Sequence, residues 1–219
     1  MSLGTAVIVG VGPGLGLALA RTFAAAGHPV ALLARDATRL DCYLAELNRA
    51  ERPARAYTAD AAHPAQLRSA LEAAIDDLGA PDVLIYNAAV LRPDTPTDGD
   101  DDGWANALTV DVLGAKVAAE TIHPALRDGR GSLLFTGGGL ALQPSAQFAS
   151  LSVGKAALRA YVQTLHAHLA GTGVHATSIT IAGTIGGGDE RFDPTVLAQA
   201  YLDLHHQPET AWQHELLRT

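Results

Sequence analysis

The sequence predicts one doubly wound α/β domain: a mostly parallel sheet of six to seven strands with helices on both faces, making three αβα layers. Three observations predict it. Six short apolar blocks recur along the chain, amphipathic stretches of several turns separate them, and a glycine-rich turn joins the first block to the first such stretch. At 219 residues and 48% hydrophobic content the chain can bury one substantial core but not two, so residues 1–219 read as a single domain with a short tail from about residue 186.

The elements follow in order. Apolar, β-branched blocks at residues 5–10, 30–34, 54–59, 83–87, 132–136 and 174–181 read as strands. Helical periodicity fills residues 15–26, 37–50, 64–78, 104–127 and 152–170 between them. Strands that alternate with helices return to the same sheet through right-handed crossovers, which makes the sheet parallel. After the sixth strand one more helix is expected near residues 194–206, and residues 211–217 can add a seventh strand. The Asp-rich segment 94–103 lacks the spacing of a twelve-residue calcium loop and reads as a solvated loop.

Composition excludes several classes. No apolar run approaches the roughly 18–20 residues that span a bilayer, so no membrane partner is expected. The opening MSLGTAVIVG runs straight into a strand and has no signal-peptide pattern, and Cys42 as sole cysteine permits no internal disulfide; both suit a cytoplasmic protein. A net charge of −8 argues against nucleic acid as partner. His123, His166, His168, His175, His205, His206 and His214 are scattered, and His166 with His168 lacks the i, i+4 spacing of a helical metal pair, so no metal is expected.

The turn VGVGPGLG, with Gly10, Gly12, Gly14 and Gly16, follows a strand and opens a helix. Glycines there leave main-chain N–H groups and the positive end of the helix dipole open to a diphosphate, the arrangement of a Rossmann-type dinucleotide site. Arg35, at the end of the second strand, suits a ribose 2′-phosphate, so NADP(H) is expected in preference to NAD(H); Ala34 leaves no acidic competitor, whereas adjacent Asp36 counts against. Asp60 after the third strand and Asn87 after the fourth fall on the sheet edge where such ligands bind. Leu15, Ala61 and Ala88 flank these positions.

Those residues resemble the short-chain dehydrogenase/reductase family over roughly residues 4–185. Gly10, Gly14 and Gly16 match its glycine turn with Val9 in place of Thr, and Tyr86-Asn87-Ala88-Ala89 stands for its Asn-Asn-Ala-Gly segment. The resemblance implies a nicotinamide cofactor and hydride transfer. It implies catalysis by an Asn, a Ser, a Tyr and a Lys, of which only the lysine, Lys155, is kept. The Tyr position is Leu151, the Ser position Gly138 and the Asn position Asp111. Ser150 and Ser152 flank Leu151, but neighbouring helix positions point about 100° apart, so neither replaces the tyrosine. Asp111 reads as either a catalytic carboxylate or a structural ion-pair partner of Lys155. Ala182-Gly183 stands for the family's Pro-Gly beside the nicotinamide, with Ile185 nearby.

Three functions follow as alternatives: an NADP-dependent oxidoreductase with a non-standard active site acting on a small molecule, a catalytically inactive nucleotide-binding subunit or sensor, and a non-redox lyase or isomerase reusing the cleft. The resemblance further implies self-association through the helices at 104–127 and 152–170, as a homodimer with a homotetramer as the alternative.

Overall fold

The computed structural model describes residues 3–49, 53–98 and 100–219. Its seven strands are β1 (Thr5–Val9), β2 (Val30–Ala34), β3 (Ala54–Thr58), β4 (Pro81–Tyr86), β5 (Gly131–Gly138), β6 (Val174–Ile181) and β7 (Glu215–Arg218). They form one sheet in the order β3-β2-β1-β4-β5-β6-β7, every neighbouring pair parallel. The order reverses between β1 and β4, and the crevice at such a switch point is where open α/β sheets bind ligands.

The helices are α1 (Leu15–Ala25), α2 (Ala37–Arg49), α3 (Pro64–Leu78), α4 (Asp101–Leu108), α5 (Gly114–Ile122), α6 (Ala149–His168) and α7 (Pro194–His205). One core lies where α3, α5 and α6 cover the sheet and includes Leu67, Leu71, Ala118, Leu133, Phe135 and Leu158. The other lies under α1, α2 and α7 and includes Leu19, Phe23, Leu40, Leu134, Leu197 and Tyr201. Burial on both faces explains the unbroken apolar blocks at β1, β2 and β4. No helix among the described residues is long and apolar enough to cross a membrane.

Several expectations are revised. The end of the second helix, Ala50, lies outside the described residues. β5 runs two residues past the expected end, so Gly137 and Gly138 belong to the strand. The stretch 104–127 is broken: a π turn at Thr109–Leu113 separates α4 from α5, with the Gly114 N–H reaching back to the Thr109 carbonyl, and the stretch ends in short 3₁₀ turns. Asp94 is buried rather than solvated, its side chain accepting from the Ser150 N–H at 3.0 Å, so it caps α6 from a distant loop. That cap also lets α6 begin at Ala149, three residues before the periodicity alone placed it.

Candidate nucleotide cleft and active site

The glycine turn opens at the C-terminal end of β1. The Gly10 and Val11 amides are used locally, donating to the Leu33 carbonyl at 2.9 and 3.1 Å, which ties the turn to β2. Gly10 sits at φ +91°, and a Cβ there would meet the Ala88 amide nitrogen at 2.5 Å; a Cβ on Gly16 would meet the Gly10 carbonyl oxygen at 2.7 Å, so a side chain there would push α1 off the turn. Gly12 and Gly14 differ in kind. A Cβ on either would meet no atom within 4 Å, because it would stand in the open cleft. No side chain caps the α1 N-terminus behind them and its first turn holds no acid, so its N–H groups, apart from that of Leu17, which donates to the Gly12 carbonyl at 2.9 Å, are left open to an anion. The cradle therefore fits an anionic diphosphate.

Asn87, just past β4, holds this turn in place: its Nδ2 donates to the Gly10 carbonyl at 2.9 Å and its Oδ1 accepts from Thr136 Oγ1 at 2.9 Å. With that proton committed, the Tyr201 hydroxyl donates to Thr136 Oγ1 at 2.7 Å, linking α7, β5, β4 and the glycine turn. Thr136 and Tyr201 are supports of this turn that the sequence reading did not single out. Thr136 had a signal, since it lies near the C-terminal end of a central strand; Tyr201 had none, being one tyrosine among several.

A side cavity of about 280 Å³ beside the turn is lined by Arg35, Asp36, Arg39, Asp60, Ala61, Asn87 and Ala88, among others. Asp36, which also lines this cavity, is engaged by Arg39: its Oδ1 accepts from the Arg39 N–H at 3.0 Å and its Oδ2 lies 3.1 Å from Arg39 Nε. Arg35 is exposed at the cavity and has no ion pair among the described residues. Asp60 is held by its own loop, Oδ1 accepting from the Ala62 N–H at 2.9 Å.

The main cleft, about 1070 Å³, runs from Gly10, Gly12, Gly14, Leu15 and Gly16 past Gly138, Leu151 and Lys155 to Gly183 and Ile185. Lys155 is its only charged side chain among the described residues; Asn87, Thr136, Gln143, Thr184 and Thr219 are polar, and apolar residues such as Leu91, Leu140, Leu142, Phe148 and Leu151 line the rest. Leu151 and Lys155, one helical turn apart, face it together. A Cβ on Gly138 would be 3.6 Å from Lys155 Cγ, an ordinary contact. Ser152 donates to the Phe148 carbonyl at 2.8 Å and Ser150 is fully buried, so neither hydroxyl reaches the Leu151 position.

Lys155 Nζ donates to the Thr136 carbonyl at 2.8 Å. Burial pushes its pKa down, against the attraction of Asp111. Asp111 sits in the π turn, fully buried behind Lys155 and outside the cleft lining. Its Oδ1 accepts from the Val90 N–H at 3.2 Å, while Oδ2 is buried with no partner. Burial raises its pKa to about 6, opposed by Lys155 and by the Val90 amide. Asp111 and Lys155 form no contact ion pair; they couple through the field. The π turn that places Asp111 is set by Tyr86, whose hydroxyl donates to the Val110 carbonyl, and by Gly114, where a Cβ would collide with that hydroxyl at 2.2 Å.

A side-chain-free cradle at the switch point of an all-parallel sheet defines a dinucleotide-binding α/β protein of the nicotinamide class. The sequence profile described as short chain dehydrogenase matches residues 4–187, and the chain belongs to that family. An uncharacterized oxidoreductase from Staphylococcus saprophyticus is 27% identical over 214 residues, covering 93% of this chain and 91% of its own. Two solved structures share the fold. A metagenomic short-chain oxidoreductase in complex with NADP superposes with a TM-score of 0.89 over 99% of this chain and 98% of its own, at 22% identity. An NADPH-bound short-chain oxidoreductase from Pseudomonas aeruginosa, described as containing an atypical catalytic center, gives 0.88 over 98% and 94%, at 23% identity.

Proposed function

We propose that this chain binds NADP(H) and acts as an oxidoreductase with a non-standard active site, on an acceptor activated enough to need little acid assistance, such as an enone or imine. The observation that carries it is the open cradle at Gly12 and Gly14 with Arg35 free beside it. Gly10, Gly12, Gly14, Leu15 and Gly16 would hold the diphosphate, Arg35 the 2′-phosphate, Asp60, Ala61 and Ala88 the adenosine side, and Lys155, Gly183 and Ile185 the nicotinamide ribose and ring. When bound, the cofactor supplies or accepts the hydride.

The protein's own residues then do three things. The Lys155 ammonium has three donors, of which one is spent on Thr136, leaving positive charge on the cleft wall to stabilise negative charge developing there. Asp111 acts through Lys155, its charge favouring the protonated amine. Leu151 and Gly138 offer no acid and no hydroxyl, which removes the 10² to 10⁴-fold that general acid catalysis typically contributes. The apolar wall of Leu91, Leu140, Leu142 and Phe148 suits an apolar acceptor. Those two positions also favour a second reading, a non-catalytic NADP(H)-binding subunit or sensor.

Titration with NADPH and NADH, repeated on Arg35→Ala, tests the binding claim: about 10-fold or greater weakening for NADPH and little for NADH is expected from the loss of a charge-assisted contact. Equal weakening for both would contradict it. Turnover of an enone and imine panel separates the two readings. A homodimer through α4, α5 and α6 is part of the proposal, supported by the exposure of Leu113, 52%, in the π turn between α4 and α5, and of Val153, 47%, on α6; sedimentation as a 22.6 kDa monomer would remove it.

A further inference from the structure

Away from the cleft, at the N-terminal edge of the sheet, three histidines converge. His28 lies in the loop before β2, and His205 and His206 end α7; one ring nitrogen from each lies within 4.8 Å of the other two. The His28 ring meets His205 edge-on with centroids 5.4 Å apart, and His205 meets His206 at 5.2 Å. β1, five residues long, separates this edge from the glycine turn by about 15 Å of strand.

The orientation of the rings is what distinguishes this cluster from chance. His28 is 1% exposed and its Nδ1 donates to the Gly4 carbonyl at 2.8 Å, which leaves the lone pair on Nε2, a buried atom with no partner. A buried acceptor facing no donor is a destabilising arrangement unless something takes the lone pair. His205 Nδ1 is also engaged, with Ser132 Oγ at 2.9 Å; the hydroxyl can accept from it, the tautomer that leaves the Nε2 lone pair for a ligand. Histidines that bind metal characteristically give their other N–H to a carbonyl, carboxylate or hydroxyl, which fixes tautomer and ring plane. For His28 that acceptor is the Gly4 carbonyl; the Asp82 carboxylate, held by Arg127, lies nearby with Oδ2 3.9 Å from His28 Nδ1.

We infer that His28, His205 and His206 form a binding site for a borderline divalent cation, zinc as the leading case, that clips the α1–β2 connection to the end of α7. Zinc binds imidazole nitrogen at about 2.0–2.1 Å, so tetrahedral ligands sit about 3.4 Å apart, and the rings need to draw in by an ångström or so. His206 is exposed and half-buried His205 ends a helix, so both have the freedom to do this. Three neutral imidazoles leave the fourth position to water. The sequence reading expected no metal because its histidines are scattered and His166 with His168 lacks the i, i+4 spacing; this cluster instead joins adjacent His205 and His206 to His28, a partner 177 residues before His205.

The test is calorimetric titration of the intact chain with zinc chloride, and with magnesium chloride for comparison, on wild type, His206→Gln and His214→Gln. His206 is exposed, so its variant folds; His214 belongs to a separate ring cluster with His166. The expected result is one zinc per chain, no magnesium binding, at least about 10-fold weaker zinc binding in His206→Gln and none of that weakening in His214→Gln. Zinc should raise the melting temperature of wild type by linkage and do so less in His206→Gln. Absence of zinc binding by wild type, equal affinity in His206→Gln, or equal loss in His214→Gln would each overturn the inference. All readouts are independent of the nucleotide site.

Discussion

Asp111→Asn decides whether the buried carboxylate is a structural ion-pair partner or a strained acid. In the folded chain its pKa is about 6 against an ordinary 3.8, with burial as the leading cause. Folding therefore favours the protonated form: between about pH 4 and 6 the native state binds more protons than the unfolded state, and stability falls as pH rises through that window. A shift of about two units at about 1.36 kcal/mol each makes the ionised side chain cost roughly 3 kcal/mol above pH 6. Asparagine keeps the acceptor for the Val90 N–H and carries no charge. In urea titrations from pH 4 to 7.5 the variant should match wild type at pH 4 and exceed it progressively, by up to roughly 3 kcal/mol at pH 7.5. A variant less stable than wild type at pH 7.5, by a margin that grows with pH, would show that attraction to Lys155 outweighs desolvation and refute the reasoning.

Installing the missing groups is the converse experiment. Leu151 faces the cleft and Gly138 has room for a Cβ, so Leu151→Tyr with Gly138→Ser should fold and gain reduction of unactivated ketones by about 10² to 10⁴-fold, read as kcat/KM with NADPH; no gain over wild type would mean that Lys155 or the cofactor is not placed as described. Gly10→Ala forces a φ of +91° and a backbone clash, and should cost about 2 kcal/mol or more in chemical denaturation. Asp94→Ala removes the remote cap of α6 and should lower stability by about 1–2 kcal/mol with the loss seen first as faster hydrogen exchange near Ser150.

The parts of this fold legible in the sequence are those with local causes. The blocks VIV, VALLA and VLIY declare buried parallel strands because both faces are covered, and β7 was readable from the apolar tail. The glycine turn and Arg35 were placed by strand ends and Lys155, Leu151 and Gly138 by the family resemblance; the last three line one cleft with the glycine turn. What escaped depends on distant partners. Asp94 looks like one acid in a polar loop, and only the approach of α6 makes it a cap. The π turn follows from Tyr86 meeting Gly114, 28 positions apart by number, and that turn withdraws Asp111 from the cleft and from direct contact with Lys155. The histidine cluster spans nearly the whole chain.

The central claim is that bare main-chain amides at one turn receive the cofactor diphosphate. Gly12→Val tests it most directly, since a Cβ at Gly12 meets no protein atom within 4 Å and so should leave folding unchanged while filling the space the diphosphate needs. Paired measurements of melting temperature and NADPH affinity should show an unaltered melt in the absence of nucleotide and binding weakened by at least about 100-fold, or about 2.7 kcal/mol. An unaltered melt with unaltered NADPH affinity would contradict the account.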